Sequence, residues 1–307
     1  MEFLTEKEII DRINVLRKQR NAIIMTHNYQ LGEVQDIADF TGDSLELSMK
    51  AAETKADVIV FCGVKFMAET AAILSPEKTV LLPVMESGCP MADMADAEDL
   101  MKMKKEHPDA LVVTYVNSSA EVKALTDVCV TSANALKIVS ALPADKEIIF
   151  VPDRNLGAYV QRKTGRKMIL WPGFCPTHMR ITPQAIIQKK QEYPDAKVII
   201  HPESRLDVID LADEVFSTGG MCKFAKQTDA KKIIVATELG LIYRLKKENP
   251  DKIFIPVTEQ AVCPNMKMHR MDNVLESLEK MRNKISVPED IRVPAERSIR
   301  RMLEMSK

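Results

Sequence analysis

The sequence lacks several features that would place the protein in familiar functional classes. No apolar run reaches the roughly 18 residues that a bilayer-spanning helix needs, so no membrane association is expected. Residues 1–20 are charged and amphipathic, without the apolar stretch and small-residue cleavage site of a secretion signal. We therefore expect a cytoplasmic protein, in a compartment where thiols stay reduced.

Features that would point to nucleic acids or nucleotides are also missing. The 43 Lys and Arg residues are balanced by 44 Asp and Glu residues, whereas a general nucleic-acid-binding protein needs a basic surplus. The absence of a P-loop and of a Gly-rich dinucleotide fingerprint argues against a nucleotide or nicotinamide cofactor. Apolar residues make up 46% of the 307 residues, which excludes wholesale disorder. The length suits two ordinary domains or three small ones.

The chain consists of three internal repeats and a tail. The segment 107–118 (HPDALVVTYVNS) resembles the segment 193–204 (YPDAKVIIHPES), and 21–30 (NAIIMTHNYQ) is a fainter copy. Their nearly even spacing predicts repeats at 1–91, 92–177 and 178–264. The remaining charged segment, 265–307, is expected to be a helical tail that packs back on the first repeat.

Each repeat alternates helices with short β-branched runs. Amphipathic helices are predicted at 6–19, 97–106 and 183–192, and buried strands follow at 22–25, 110–114 and 197–200. Further strands are predicted at 57–61, 147–151 and 232–235, and at 80–83, 168–172 and 253–256. This pattern predicts an α/β protein of three similar three-layer αβα domains with parallel sheets, arranged around a pseudo-threefold axis. Ligands are then expected beyond the carboxyl ends of the strands.

A Cys-Pro dipeptide closes each repeat, at Cys89, Cys175 and Cys263, in loops of different length. Repeats arranged around an axis would bring these three thiols together. Three sulfur ligands suit a 4Fe–4S cluster with one iron left open, or zinc with His178 as a fourth ligand. Inherited structural cysteines without metal remain the third alternative. The other cysteines, which have no counterparts between repeats, are predicted to be buried bystanders: Cys62, Cys129 and Cys222.

Polar residues two positions apart follow the first strand of each repeat. The pairs are His27 and Tyr29, Tyr115 and Asn117, and His201 and Glu203. Side chains two apart in an extended segment point to the same side, so all six are expected to face one cavity. Satisfied structural polar groups are the alternative. The two imidazoles and the carboxylate suit proton transfer, provided that burial brings Glu203 toward neutrality.

Three predicted helix starts, at 42–44, 131–134 and 217–220, are rich in Ser, Thr, Asn and Gly. Ordinary N-capping is the simpler interpretation. Free N–H groups and hydroxyls at a helix start also bind anions. Three such starts around one axis could therefore hold a substrate with several carboxylates or a phosphate.

A series of motifs along nearly the whole chain resembles the quinolinate synthase family. They are THNYQ at 26–30, DIAD at 36–39, GDS at 42–44, FMAE at 66–69, YVNS at 115–118, TSAN at 131–134, PDRNLG at 152–157, HPE at 201–203, STG at 217–219 and TE at 237–238. The resemblance implies an iron–sulfur enzyme of NAD biosynthesis with three αβα domains around a pseudo-threefold axis.

The resemblance also implies residue roles. Cys89, Cys175 and Cys263 would hold one 4Fe–4S cluster per chain. The implied catalytic residues are His27, Tyr29, Tyr115, Asn117, His201 and Glu203. The same residues except Tyr29 would also bind substrate, together with Ser44, Ser132, His178, Ser217 and Thr218. The chain departs from the family where Ser204 stands in place of a cysteine that many members carry, and it lacks closely spaced cysteines near its C-terminus.

The implied reaction condenses iminoaspartate with dihydroxyacetone phosphate to quinolinate, with loss of phosphate and two waters. As hypotheses, Glu203 and Tyr29 serve the late proton transfers, while His27 and Tyr115 position the phosphate-bearing substrate. An enzyme that produces iminoaspartate would be a functional partner. Two alternatives stay open: another iron–sulfur hydro-lyase, and a zinc-stabilised binding scaffold without catalysis.

Overall fold

The computed structural model describes residues 4–307, which form three parallel β-sheets covered by helices. The first repeat contains α1 (Glu6–Gln19), β1 (Ala22–His27), α2 (Gly32–Asp36), β2 (Phe40–Gly42), α3 (Ser44–Glu53), β3 (Val58–Cys62), α4 (Lys65–Leu74) and β4 (Thr79–Leu81). Helix α1 begins after Thr5, whose hydroxyl accepts the Glu8 N–H while the Glu8 carboxylate accepts the Thr5 N–H. This capping box satisfies two backbone donors at the helix start.

The second and third repeats reproduce the same order of elements. The second contains α5 (Ala97–Glu106), β5 (Leu111–Tyr115), α6 (Ala120–Ala124), β6 (Val128–Val130), α7 (Ala135–Ala141), β7 (Ile148–Val151), α8 (Arg154–Thr164) and β8 (Met168–Leu170). The third contains α9 (Pro183–Glu192), β9 (Lys197–Ile200), α10 (Leu206–Ile209), β10 (Glu214–Val215), α11 (Thr218–Gln227), β11 (Lys232–Ala236), α12 (Gly240–Glu248) and β12 (Ile253–Pro256).

The three sheets share one strand order, in which the first strand of the repeat lies between the second and the third. The orders are β4-β3-β1-β2, β8-β7-β5-β6 and β12-β11-β9-β10, with parallel pairing throughout. The predicted α/β class with three parallel sheets is confirmed. The short strands β2, β6 and β10 were not predicted, because runs of two or three residues carry no readable periodicity.

The tail is less simple than predicted. It contains α13 (Met271–Lys280), β13 (Lys284–Ile285) and α14 (Glu289–Ser306). Helix α13 packs on α1, and β13 adds an antiparallel edge to β4, so this part lies on the first repeat. Helix α14 instead packs on α4 of the first repeat and on α6, β6 and α7 of the second. Its buried face joins the apolar core that runs through all three repeats.

The loops after the last strand of each repeat carry the Cys-Pro dipeptides. A 3₁₀ helix begins two or three residues after each cysteine, at Ala92–Met94, His178–Arg180 and Asn265–Lys267. The three loops therefore share a local structure as well as a sequence. Within residues 4–307, no helix has the length and apolarity that crossing a bilayer requires.

Shortening a buried side chain of α14 should destabilise the whole protein. Ile299 is fully buried in the shared core, so Ile299→Ala is expected to lower the free energy of unfolding by about 2–5 kcal/mol. Urea denaturation followed by circular dichroism measures this change. The exposed neighbour Arg297 provides the control, since Arg297→Ala should change stability by less than about 0.5 kcal/mol. Equal effects of the two substitutions would contradict the packing of α14.

Candidate active site

A cavity of about 70 Å³ lies where the carboxyl ends of β1, β5 and β9 meet. Cys89, Cys175 and Cys263 all line it. The predicted polar residues that line the same cavity are His27, Tyr29, Ser44, Tyr115, Asn117, Ser132, His178, His201, Glu203 and Thr218. Three loops and three strand ends from separate repeats thus contribute to one site.

The three thiols sit in matching surroundings. Burial raises the pKa of Cys89 to about 12 and also raises the pKa of Cys175 and Cys263, so without a cation they stay protonated. In each case a backbone N–H three residues further on, of Ala92, His178 or Met266, is directed at the sulfur and opposes this rise. Such N–H groups stabilise negative charge on a sulfur ligand.

The sulfur atoms are too far apart to share one metal ion as they stand. The three do not all lie within 4.8 Å of one another. A single zinc ion with Zn–S bonds of about 2.3 Å would bring tetrahedral sulfur ligands to about 3.8 Å. The three side chains would therefore have to move closer together before they could share one zinc ion.

The two predicted histidines at the strand ends are held in one tautomer. The Nδ1 atoms of His27 and His201 accept the backbone N–H of Tyr29 (3.2 Å) and Glu203 (3.4 Å). The proton of each neutral ring is therefore on Nε2, and that of His201 faces Ser132 Oγ at 3.2 Å. Burial, opposed in part by the Glu203 charge, lowers the pKa of both histidines to about 3. Both are neutral donors near neutral pH.

Glu203 is held as a carboxylate. Its Oε1 accepts the Tyr115 hydroxyl at 2.6 Å, and its Oε2 lies 2.8 Å from His178 Nδ1. Burial by itself would raise the pKa of Glu203, but the neighbouring His178 and the hydrogen bonds from His178 and Tyr115 lower it below its usual value. Burial therefore does not bring Glu203 toward neutrality, which was the condition placed on its role in proton transfer. Asn155 fixes the backbone at this point by donating from Nδ2 to the Glu203 carbonyl at 3.1 Å.

His178 connects the three repeats. Its ring stacks on His201 with centroids 4.8 Å apart, and its Nδ1 lies 3.2 Å from Cys175 Sγ. Its Nε2 lies 2.9 Å from the hydroxyl of Thr237, which in turn is 2.5 Å from the Tyr29 hydroxyl. Within residues 4–307, Cys175, His178 and Glu203 also bring one potential metal-ligand atom each within 4.8 Å of the others.

The residues at the helix starts cap a helix, line the cavity, or do both. Asp43 caps α3 by accepting two backbone N–H groups, and both Asp43 and Ser44 line the cavity. Ser217 caps α11 through Gly220 N–H and donates to Asp43 at 3.0 Å. The structure does not bring Ser217 to the cavity, so the expectation that it binds substrate is not supported by its position. Thr218 lines the cavity instead, next to the Asn28 amide at 2.9 Å.

Asn117 is the predicted residue whose bonding is incomplete. It lines the cavity, and its buried Oδ1 has no hydrogen-bond partner among residues 4–307. A buried polar atom without a partner is costly, and a ligand donor would relieve that cost. Asn117 is therefore placed to accept a hydrogen bond from a bound molecule.

Four residues at or next to the site were not predicted as site residues: Asn155, Thr237, Glu238 and Lys267. Thr237 and Glu238 follow the third repeat's β11, and Asn155 comes four residues after the equivalent β7. Their position beyond buried parallel strands was the available signal, since ligands bind at that edge. Lys267 gave no such signal, because it acts from a 3₁₀ helix in the tail.

Comparisons with known proteins match nearly the full chain to a single family. A family profile described as quinolinate synthetase A protein matches residues 11–304. A quinolinate synthase of Dehalococcoides mccartyi strain CBDB1 is 59% identical, over 97% of this chain and 99% of that protein. Quinolinate synthases of Geotalea uraniireducens and Thermodesulfovibrio yellowstonii are each 54% identical, over 98% and 96% of this chain and 99% and 98% of theirs.

The buried imidazoles should make the protein less stable in mild acid. An unfolded histidine has a pKa near ~6.5, whereas the pKa of His201 in the folded protein is about 3. Between these values the unfolded state binds a proton that the folded state does not, so stability falls as the pH is lowered. From about pH 7.5 to about pH 5.5, each such histidine should remove about 1.4 kcal/mol from the free energy of unfolding.

The variant His201→Gln should lose that share of the pH dependence, as measured by urea denaturation at the two pH values. His107, at the surface beside Glu147, provides a matched control whose replacement by Gln should retain it. A wild-type pH dependence in His201→Gln would mean that the His201 ring is already protonated in the folded state.

Proposed function

The chain belongs to the quinolinate synthase family, and we propose that its cavity joins iminoaspartate to dihydroxyacetone phosphate on a 4Fe–4S cluster held by Cys89, Cys175 and Cys263. The protein is an enzyme of NAD biosynthesis, as its family and its curated relatives establish. The cluster, the two substrates and the role of each residue form the proposal, together with a cytoplasmic location and an iminoaspartate-producing partner enzyme.

The observation that carries the proposal is the meeting of three loop cysteines in one cavity with a carboxylate and neutral imidazoles. The three sulfur atoms do not all lie within 4.8 Å of one another, and each has a backbone N–H directed at it. Both features fit a cubane cluster. When bound by three thiolates, such a cluster supplies an iron that can polarise a substrate oxygen.

The cavity binds anions without basic side chains. In the described part of the chain, no Lys or Arg lines it, although both proposed substrates are anionic. The available donors are the Nε2–H groups of His27 and His201 and the hydroxyls of Ser44, Ser132 and Thr218. Each neutral donor contributes modestly, so several must act together on one substrate.

Glu203 is the proposed base for the late proton transfers. Its carboxylate is oriented by Tyr115 and His178 and can accept a proton that a bound intermediate releases. Burial raises the pKa of Tyr29 well above its usual range, so its hydroxyl stays protonated and acts as a donor. Tyr29 is linked through Thr237 to His178, which gives a hydrogen-bonded path from donor to base.

Two measurements decide between this function and its alternatives. Iron and sulfide analysis of anaerobically purified protein distinguishes a cluster enzyme from a zinc-stabilised scaffold, which would contain zinc and no sulfide. An assay with dihydroxyacetone phosphate and a source of iminoaspartate then tests for quinolinate. Another iron–sulfur hydro-lyase would contain the cluster and form no pyridine product.

Serine substitutions should separate the ligand cysteines from the bystanders. A 4Fe–4S cluster contributes about four iron and four sulfide ions per chain. We expect clearly less of both in each of the variants Cys89→Ser, Cys175→Ser and Cys263→Ser. Cys62→Ser, at a buried cysteine of β3 outside the cavity, should leave both unchanged. Retention of full iron and sulfide by any of the three loop variants would remove that cysteine from the ligand set.

Glu203→Gln should abolish turnover without loss of the cluster. The amide keeps the shape of the side chain but cannot take a proton, so we expect kcat to fall by about 10²–10⁴-fold. The visible absorption of the reconstituted protein should match wild type. Glu192, exposed at the end of α9, offers the control Glu192→Gln with wild-type kcat. Wild-type kcat in Glu203→Gln would exclude Glu203 as the base.

A further inference from the structure

Glu238 is a buried carboxylate, and both of its oxygens accept hydrogen bonds. It follows β11, is fully buried and lines the cavity. Its Oε1 accepts the backbone N–H of Cys263 at 3.1 Å, and its Oε2 accepts the Gly240 N–H at 2.6 Å. The Lys267 ammonium lies 2.8 Å from Oε1 and 3.1 Å from Oε2. With three charge-assisted donors, the carboxylate is held in a single orientation.

Lys267 links this carboxylate to the first repeat. Besides Glu238, its ammonium donates to the Tyr29 carbonyl at the end of β1. The surrounding backbone is tightly packed, since a Cβ on Gly240 would lie 2.4 Å from the Tyr29 carbonyl oxygen. The distance between the Cys263 loop and Tyr29 is therefore set by one ion pair and one close backbone approach.

The segment that carries Lys267 also contacts the Cys89 loop. Asn265 donates from Nδ2 to the Gly88 carbonyl at 2.7 Å, next to Cys89. His269, fully buried, lies with Nε2 at 2.7 Å from the Gly63 carbonyl and 3.1 Å from Ser87 Oγ. The residues after Cys263 thus connect two cysteine loops and one substrate-facing tyrosine.

We propose that Glu238 and Lys267 are a positioning pair that sets the place of the Cys263 sulfur relative to Tyr29 and tunes the cluster electrostatically. The inference rests on the proposed cluster. Neither residue takes part in proton transfer, because both are committed to backbone groups and to each other. Groups just outside a metal's ligands commonly change metal affinity by about 10–100-fold when they are replaced.

The substitution Glu238→Gln tests the pair. It removes a negative charge and turns one acceptor into a donor that faces the N–H of either Cys263 or Gly240. We expect the reconstituted variant to lose iron to an excess of chelator about tenfold faster than wild type. Its cluster should also be reduced at a more positive midpoint potential, because less negative charge surrounds it.

Removal of the charge on Lys267 distinguishes electrostatic tuning of the cluster from a loss of rigidity around it. Lys267→Met removes a positive charge, so its midpoint potential should shift in the negative direction, whereas loosening would shift both variants the same way. Because Lys267→Met leaves a buried carboxylate unpaired, it could fail to fold. The double variant Glu238→Gln/Lys267→Met avoids this, and should combine fast iron loss with a midpoint potential near that of wild type.

Glu248→Gln is the matched control, since Glu248 belongs to the same repeat but pairs with Arg244 and Lys226 away from the cavity. It should keep the wild-type rate of iron loss and midpoint potential. A Glu238→Gln protein indistinguishable from wild type in both measurements would overturn the positioning pair alone. A wild-type protein that binds no iron and sulfide would instead overturn the proposed cluster.

Discussion

The structure depends on bringing three sulfur atoms from separate sheets to one buried cavity. A parallel sheet has one edge where its strands end and loops diverge, and each repeat turns that edge toward the same place. The thiols are buried enough to stay protonated when alone, so only a cation at the cavity can make thiolates of them. Binding of the proposed cluster by these cysteines would therefore be coupled to loss of the thiol protons.

The same burial determines which side chains of the cavity are charged. Its two strand-end imidazoles are neutral, and its carboxylate keeps its charge only because Tyr115 and His178 donate to it. A lysine or arginine in the cavity would bind anionic substrates more strongly, but it would also pair with Glu203. In the proposed function, binding by hydroxyls and imidazole N–H groups leaves that carboxylate free to act as a base.

Much of this site could be predicted because three copies of one pattern were present. The cysteines, the strand-end pairs and the central strands all recur at even spacing, so each copy supported the others. The features that the sequence did not predict depend on contacts between distant segments. The strand β13 has two residues, and α14 packs across two repeats through contacts that no local pattern encodes. Ser217 matched the helix-start pattern, but its hydroxyl caps α11 and bonds Asp43.

Glu203 shows most clearly what could not be predicted from the sequence. Sequence predicts its place, but its charge depends on donors that come from β5 and from the 3₁₀ helix after Cys175. The equivalent positions in the other repeats are Tyr29 and Asn117, which are not bases. The three repeats thus have three equivalent positions, of which one carries a carboxylate. Condensation and dehydration need a base on one side of the substrate and donors on the others, and this divergence at one position per repeat provides that asymmetry without changing the fold.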